Sequence, residues 1–479
     1  MSINSGKGGT DFSTGSLRGH MLRQAIPLAF AQLVQLLYNI VDRIYIGHMP
    51  VHGALALTGL GITFPFISMI AAFTNLYGTG AMPLFSMSRG AGDDKRAAHI
   101  LGNTFLLLIC TSAALMAVAY TFLRPLLYLC GASEESYAYA EGYMRIYLLG
   151  TPLTMLATGL NGMINAQGFP VIGMMTVVLG AITNLILDPV LIYTLELGVT
   201  GAALATVISQ SISCMWVLLF LTGVGRRKPP ITLRKDMMRM EGKTVRSIMT
   251  LGLSGFMMSA TNGFVQAACS STLQLFGGDL YVSIFTVFTS VREVVQMPVS
   301  GLTSGSQPVL GYNYGAKVYS RVRKGIRTMA GMGMLYAAGV WVLIMLFPSL
   351  WIQLFSDDGA LLEIGISCMR VYFSAFFFMT FQFAGQTVFQ GLGLARYAIF
   401  FSILRKIVIV MPLTLLLPRL GLGVMGVFLA EPVSDVLGGC ACMFTMIAVI
   451  YHPMKEWTDG QEVQIDGRPH FSLLARKQR

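Results

Sequence analysis

Long apolar segments separated by short polar joints make up most of this chain. Each segment has about 20 or more mostly apolar residues, enough to cross the hydrocarbon core of a bilayer as a helix. The alternation over about 10 residues that a membrane β-barrel requires is not seen. The pattern therefore predicts an all-α polytopic membrane protein with twelve spans, at residues 21–46, 54–82, 99–125, 137–166, 172–195, 199–222, 247–276, 281–309, 325–351, 362–390, 397–418 and 424–451.

The sequence also repeats itself at an offset of about 225 residues. The matched pairs include Gly80 with Gly305, Gly90 with Gly315, Arg145 with Arg370, Gly201 with Gly426, Ala205 with Ala430 and Ser209 with Ser434. Internal duplication of hydrophobic segments is typical of membrane transporters, whose substrate site lies where the repeats meet. Six spans in each half give both halves the same orientation, so we predict two lobes related by a pseudo-twofold axis along the membrane normal.

The polar segments divide the chain into five parts. They are a cytoplasmic segment at 1–20, an N-terminal six-helix lobe at 21–222, a basic linker at 223–246, a C-terminal six-helix lobe at 247–451 and a polar tail at 452–479. We expect the tail to be poorly ordered from residue 455 onwards. Residues 1–20 are polar and the first apolar run is long enough to span, so no cleavable signal is predicted.

Charge supports this topology. The chain has 479 residues, of which 54% are apolar and 11% charged, whereas soluble proteins carry roughly 25% charged residues. The net charge of +11 lies in joints that border the spans, as expected for residues facing anionic lipid, so the predicted partner is the bilayer and not nucleic acid. The positive-inside rule places the basic joints and both termini in the cytoplasm.

Ionisable groups inside spans are the first candidates for function, because each costs about 2.5–3.5 kcal/mol at the helix centre. Asp42 lies in the first span, and Asp188 lies in the fifth, one turn after Asn184. Their oxygen atoms, with the hydroxyl of Thr206 in the sixth span, suit Na⁺ and equally suit a proton. The alternative for Asp42 is a structural pair with the adjacent Arg43.

The second half carries further charges. Glu293 and Gln296 share a face of the eighth span, where Glu293 is either a titrating or cation-binding group or a structural one. Candidate residues of a substrate cavity are Glu293, Gln296, Met297 and Gln386. Two acidic residues of the last span, Glu431 and Asp435, have Arg405 and Lys406 as candidate partners.

Signals of soluble enzymes and metal sites are weak. The chain contains no GxxxxGK[ST] phosphate loop, no HExxH and no GxSxG, so we predict that it is not an enzyme. The seven Cys fit apolar packing better than disulfides. His48 and His52, four residues apart, are a weak metal signal that we discount.

Several motifs in the same order resemble those of one transporter family. They are YNIVDRIYIG in the first span, NLILDP in the fifth, REVVQMP in the eighth, and the joints PLFSMSRGAGDDKRA and SQPVLGYNYGAK. They resemble the multidrug and toxic compound extrusion (MATE) transporters, and within them the DinF-type branch and its MepA-like bacterial drug exporters. The resemblance covers residues 20–452.

The resemblance implies a V-shaped pair of lobes and export driven by entering Na⁺ or H⁺. Matched by motif, the cation site falls on Asp42, Asn184, Asp188 and Thr206, with the backbone carbonyl of Ala202. Another branch of the family uses acidic residues in the seventh and tenth spans. This chain has glutamines there (Gln266, Gln382 and Gln386), so we do not expect a cation site of that second kind.

We therefore expect a monomeric antiporter of a bacterial cytoplasmic membrane that exports amphipathic, often cationic, drugs and confers antibiotic resistance. H⁺ or Na⁺ is the coupling ion, and no other cofactor is expected. One alternative is a flippase of lipid-linked precursors from the same superfamily, which would have extra spans and a cationic cavity. Another is a membrane protein that transports nothing.

Overall fold

The structure is a computed structural model that describes residues 11–47, 49, 53–130, 132–225, 228–354, 359–461, 463–465 and 468–469. His48 and His52 lie outside the described residues, and so does the side chain of Arg43. The alternative of an Asp42–Arg43 pair is therefore not tested by the structure, and neither is the discounted metal signal of the two histidines.

The first half of the chain folds into a bundle of helices with its own apolar core. Its elements are α1 (Leu17–Gly47), α2 (Gly53–Gly90), α3 (Asp94–Thr121), α4 (Leu123–Leu129), α5 (Glu134–Ala166), α6 (Pro170–Pro189), a π-helical segment at Val190–Thr194 and α7 (Gly198–Leu221). Local sequence explains several helix starts. The Asp93 side chain accepts a hydrogen bond from the backbone N–H of Arg96 and caps α3. Ser133 and Ser136 form a reciprocal cap at the start of α5.

A short 3₁₀ turn at Lys235–Met237 lies in the linker, and the second half follows with more interruptions. Its elements are α8 (Gly242–Gly277), α9 (Asp279–Gly315), α10 (Tyr319–Leu346), α11 (Pro348–Gln353), α12 (Gly359–Tyr372), a 3₁₀ turn at Phe376–Phe378, α13 (Met379–Gly391), α14 (Ala395–Ile403), a π-helical segment at Leu404–Val410, α15 (Met411–Leu416), a second π-helical segment at Pro418–Leu422, α16 (Gly423–Met446), a third at Ile447–Tyr451, a 3₁₀ turn at Pro453–Lys455, and the antiparallel strands β1 (Gln464–Ile465) and β2 (Arg468–Pro469).

Every predicted span coincides with a helix or with a run of helical segments, so the all-α polytopic prediction is confirmed. Within the described residues, nine helices are long and apolar enough to cross a membrane, or ten if a pair bent by 44° counts as one span. The bent pair is the predicted tenth span, broken between Tyr372 and Phe376. The two remaining long helices, α5 and α9, contain more polar residues. Several helices also continue past the predicted ends, as α2 does to Gly90.

The two lobes meet through α1, α2, α8 and α9. A Cβ atom on Gly252 of α8 would lie 1.6 Å from the carbonyl oxygen of Leu76 in α2, so no side chain fits there. The ends of α2 and α9 cross in the same way. A Cβ on Gly90 would lie 1.9 Å from the oxygen of Tyr312, and one on Gly315 would lie 2.0 Å from that of Met87. These backbone contacts lie on the side of the basic joints.

Both ends of the described chain pack against the junction of α9 and α10. Phe12 is 1% exposed, and its carbonyl accepts hydrogen bonds from the side chains of Asn313 and Arg321. In the tail, Trp457 lies edge-on against Tyr319 at 5.3 Å between ring centroids. The expectation of poor order from residue 455 is therefore wrong for residues 455–461, because aromatic packing and hydrogen bonds fix them.

Candidate functional site

The N-terminal lobe encloses a cavity of about 780 Å³ between α1, α2, α5 and α7. Of the predicted cation-site residues, Asp42 and Thr206 line this cavity. Asn184, Asp188 and Ala202 lie behind its wall and are 1%, 0% and 0% exposed. The structure thus brings together residues from α1, α6 and α7 that are up to 164 positions apart between Asp42 and Thr206.

The carboxyl group of Asp188 is the least satisfied group of this cluster. It faces Asp42 across the packed helices α1 and α6. Neither Oδ1 nor Oδ2 of Asp188 accepts a hydrogen bond from any residue that the structure describes. Two facing carboxyl groups can share a hydrogen bond only when one of them holds a proton. A proton or a cation bound between the two carboxyl groups would relieve their mutual repulsion.

Asn184 and Thr206 continue the cluster. Nδ2 of Asn184 lies 3.5 Å from Oγ1 of Thr206, which donates to the carbonyl oxygen of Ala202 at 3.0 Å. Oδ1 of Asn184 is buried and accepts no hydrogen bond within the described part of the chain. On Asn184 and Asp188, the buried atoms that have no partner among the described residues are oxygen acceptors, the atom type that a cation or a proton binds. The carbonyl of Ala202 already accepts one bond, which leaves one lone pair for an ion.

The backbone around Asp188 is irregular for a reason visible in the sequence. Pro189 has no N–H and interrupts the hydrogen-bond ladder of α6. The chain continues as the π-helical segment Val190–Thr194, a form that is frequent at functional sites. The hydroxyl of Tyr193 donates to the carbonyl oxygen of Tyr45 at 2.6 Å, which fixes this segment against the end of α1.

Three tyrosines of the cavity wall, Tyr38, Tyr143 and Tyr147, were missed by sequence reasoning. Tyr38 and Tyr143 share this wall with Thr206 and Asp42. Tyr143 and Tyr147 stack at 5.8 Å between ring centroids. Helical spacing was the available signal, since Tyr38 is four residues before Asp42 and Tyr147 is four after Tyr143.

The C-terminal lobe encloses a second cavity, of about 430 Å³, lined mainly by α8, α9, α13 and α16. Three of the predicted cavity residues line it, namely Glu293, Gln296 and Gln386. Met297 was predicted with them but is not part of the wall, because consecutive residues of a helix point about 100° apart. Gln266 and Gln382 also line this cavity, and Gln382 donates to Gln386 at 2.9 Å.

Five charged side chains form a network beside the second cavity. Arg405 contacts Glu431 at 2.8 Å and Asp435 at 2.7 Å, and Lys406 contacts Glu431 at 3.4 Å. The predicted partnership of these basic and acidic residues is confirmed. Arg292 also joins the network, at 2.8 Å from Asp435 and 3.1 Å from Glu431. Its partners are more than 130 residues away in sequence, so no local pattern pointed to them.

Two duplicated six-helix lobes, joined on one membrane face and each containing a polar cavity, define a multi-pass membrane protein with the fold of a two-lobed transporter. The chain belongs to the MatE family, whose model matches residues 27–190 and 255–416. One matched segment falls in each lobe.

Curated relatives and solved structures agree with this assignment. The chain is 23% identical over 441 residues to "Multidrug export protein MepA" of Staphylococcus haemolyticus, covering 92% of this chain and 94% of the relative. The protein of that name from Staphylococcus aureus (strain MRSA252) is 23% identical over 424 residues, covering 88% and 92%. A structure described as the outward-facing conformation of a multidrug resistance MATE family transporter has a TM-score of 0.86 at 22% identity and covers 94% of this chain and 99% of its own. A structure of MATE in complex with MaL6 also has a TM-score of 0.86, at 22% identity, with 93% and 98% covered.

Proposed function

We propose that this protein is a multidrug exporter of a bacterial cytoplasmic membrane, driven by H⁺ or Na⁺ entering the cell, with both termini in the cytoplasm. The observation that carries the proposal is the buried Asp188 carboxyl, which faces Asp42 beside a cavity in the N-terminal lobe. The curated relatives named as multidrug export proteins over about nine-tenths of the chain support the drug as cargo.

In this mechanism one site serves two ligands in turn. When Asp42 and Asp188 are ionised, the N-terminal cavity attracts a cationic drug, and the aromatic faces of Tyr143 and Tyr147 add cation–π contacts. H⁺ or Na⁺ arriving from outside neutralises the carboxylates, with Asn184, Thr206 and the Ala202 carbonyl as further oxygen ligands for Na⁺. Neutralisation removes the attraction, and the drug leaves. Each ligand drives the cycle only through its different affinity for the two conformations.

The lobes move as units in this scheme. In the structure they touch on the side of the basic joints, so on that side the path between the two cavities is closed by backbone contact. We infer that this face is cytoplasmic, which makes the structure closed to the cell interior. Separation of α2 from α8 and of α1 from α9 would open it.

The test is efflux of a fluorescent cation, ethidium, from proteoliposomes with pH and Na⁺ gradients imposed separately. Wild-type protein is expected to move ethidium with one of the two gradients. Asp188→Asn should lower the gradient-driven efflux rate by about 5–150-fold, the factor that corresponds to a typical coupling free energy of about 1–3 kcal/mol. Asp279→Asn, at the exposed start of α9, is the matched control and should keep the wild-type rate.

Two outcomes would contradict the proposal. Gradient-driven efflux by Asp188→Asn at the wild-type rate would remove Asp188 from the coupling site. Wild-type protein that moves no organic cation under either gradient, yet exposes a fluorescent lipid-linked precursor to the opposite leaflet, would make it a flippase.

A further inference from the structure

The two cavities differ in the kind of hydrogen-bonding group that they leave unused. Beside the N-terminal cavity, the buried atoms of Asn184 and Asp188 without partners are oxygen acceptors. On the wall of the C-terminal cavity the described atoms without partners are mainly donors, namely Nη1 of Arg292, Nε of Arg405 and Nε2 of Gln307, against one acceptor, Oε1 of Gln382. A ligand that satisfied these donors would supply an acceptor atom or an anion.

Within the network, basic side chains outnumber carboxylates by three to two. Glu431 presents Oε1 to Arg292, Arg405 and Lys406 at once, at 3.1, 2.8 and 3.4 Å, and Asp435 is fully buried behind it. Three basic side chains thus share two carboxylates. The Lys406 ammonium carries three protons, and its contact at 3.4 Å is the longest of the network.

Position singles out Lys406 among the basic residues. All three basic side chains line the cavity, and that of Lys406 is the most exposed, at 19% against 8% for Arg292 and 10% for Arg405. Arg405 and Lys406 belong to the π-helical segment Leu404–Val410, and both reach Glu431. Glu293, the residue after Arg292 in α9, lines the same cavity and adds a carboxylate to its wall.

We propose that the basic corner of the C-terminal cavity, formed by Arg292, Arg405 and Lys406, binds a carboxylate carried by amphipathic substrates. Lys406 is the specificity-determining residue, because its ammonium can turn from Glu431 to the substrate while both arginines keep Glu431 and Asp435 paired. The exporter would then accept zwitterionic and acidic drugs as well as cations. This inference names a substrate class and rests on the proposed function.

The test uses two dyes that differ in one group. Rhodamine 110 has a free carboxylate, and rhodamine 123 is its methyl ester. Fluorescence anisotropy titrations with the purified full-length protein in detergent give the Kd of each dye. Lys406→Met should raise the Kd of rhodamine 110 about tenfold, as expected for loss of one charge-assisted hydrogen bond, and should change that of rhodamine 123 less than about twofold. Lys406→Arg keeps the charge and should retain most of the preference.

Several results would overturn the inference. In one, Lys406→Met weakens the binding of both dyes equally, which makes Lys406 a structural residue. In another, Lys406→Met changes the Kd of neither dye, or wild-type protein binds neither dye. In a further outcome, geranyl pyrophosphate binds in a Lys406-dependent way and rhodamine 110 does not. The ligand of the basic corner would then be the phosphate of a lipid-linked cargo and not the carboxylate of a drug.

Binding in detergent needs no ion gradient, so these results are independent of the transport test. Wild-type protein that exports both dyes with no role for Lys406 would overturn the inference and leave the proposed function standing. Retained Lys406-dependent selectivity with no gradient-driven efflux would do the reverse.

Discussion

The two lobes are related by the sequence repeat, but they carry different charges at equivalent positions. The repeat offset aligns α7 with α16, so Thr206 of the N-terminal lobe corresponds to Glu431 of the C-terminal lobe, and Gln210 corresponds to Asp435. In the N-terminal lobe these positions are neutral, and the carboxylates come from α1 and α6. In the C-terminal lobe they are acidic and lie among three basic side chains. Equivalent positions of the sequence repeat therefore carry different charges in the two lobes.

The difference shows what decides whether a buried charge can act. A carboxylate with bonded cations has its desolvation cost offset and exchanges ligands reluctantly. A carboxylate that accepts no hydrogen bond within the described residues, such as Asp188, keeps that cost and is available to a mobile ion. The N-terminal pair is therefore suited to coupling. In the C-terminal lobe, the residue that we propose selects a ligand is Lys406, whose contact with Glu431 is the longest of the ion pairs described in the network.

The largest effect should come from removing one charge of the paired network. Asp435→Asn leaves Arg292 and Arg405 buried with half of their counter-charge, so the free energy of unfolding should fall by about 3–5 kcal/mol. Thermal unfolding in detergent measures this loss. The matched control is Asp188→Asn, the same substitution in the other lobe, which should keep or raise the thermal stability because it neutralises a carboxylate without a described hydrogen bond. Equal losses from the two variants would erase the contrast between the lobes.

A smaller effect is expected where the lobes touch. Gly252→Ala places a methyl group 1.6 Å from the carbonyl oxygen of Leu76, so α8 must move away from α2 at a cost of about 1–3 kcal/mol. We expect this variant to favour the conformation open on the side of the basic joints. The measurement is the rate of maleimide labelling of Thr79→Cys, in protein whose seven native cysteines are replaced. Thr79 lies in α2 at the contact with α8, where its side chain faces Gly255.

Gly263→Ala, also in α8, is the control for this substitution. A Cβ on Gly263 would have no neighbouring atom within 4 Å. It should label at the parent rate, whereas Gly252→Ala should label several-fold faster. If both variants label at the same slow rate, the contact between α2 and α8 adjusts to the methyl group without separating the lobes. Both cavities would then keep the arrangement described above.

The smallest effect concerns the tail that caps α10. Asp459 accepts hydrogen bonds from the backbone N–H and the hydroxyl of Ser320, at 3.0 and 2.6 Å. Partial burial raises the pKa of Asp459, but these bonds outweigh it, so the pKa lies below the ordinary value of 3.8. A lowered pKa means that the stabilisation is present above about pH 4 and is lost as the pH falls further.

Asp459→Ala should therefore lower the free energy of unfolding by less than about 1 kcal/mol at pH 7, because the group is exposed to solvent. The gap between variant and wild type should narrow below pH 4. Thermal unfolding at both pH values measures the gap, and a gap independent of pH would show that the carboxylate charge contributes nothing.

The helices and the duplication were predictable because both can be read directly from the residue pattern along the chain. Apolar segment length predicted the spans, and repeated glycines such as Gly80 and Gly305 revealed the two lobes. The role of those glycines was not predictable. It depends on the approach of helices from different lobes, as when a Cβ on Gly305 would lie 2.7 Å from the backbone nitrogen of Ala25.

The candidate site was predictable to the extent that its chemistry follows helical spacing or a family motif. The grouping of Asn184 with Asp188 follows from their spacing of four residues. Asp42 was grouped with them as another ionisable residue inside a span, and the family resemblance implied the same set with Ala202 added. Arg292 was left without partners, since its bonds to Asp435 span 143 residues and no periodicity encodes them. Tyr38 was overlooked because an aromatic residue in a span usually packs against lipid or other helices.

The docking of Phe12 has a consequence for biogenesis. Phe12 precedes the first span, yet it is held by Asn313 and Arg321, about 300 residues later in the chain. The ribosome releases those residues only after the whole first lobe has been threaded into the bilayer, so the N-terminal segment has to wait for its binding site. A nascent chain stopped before Asn313 would leave that segment open to a protease, whereas the finished chain would protect it.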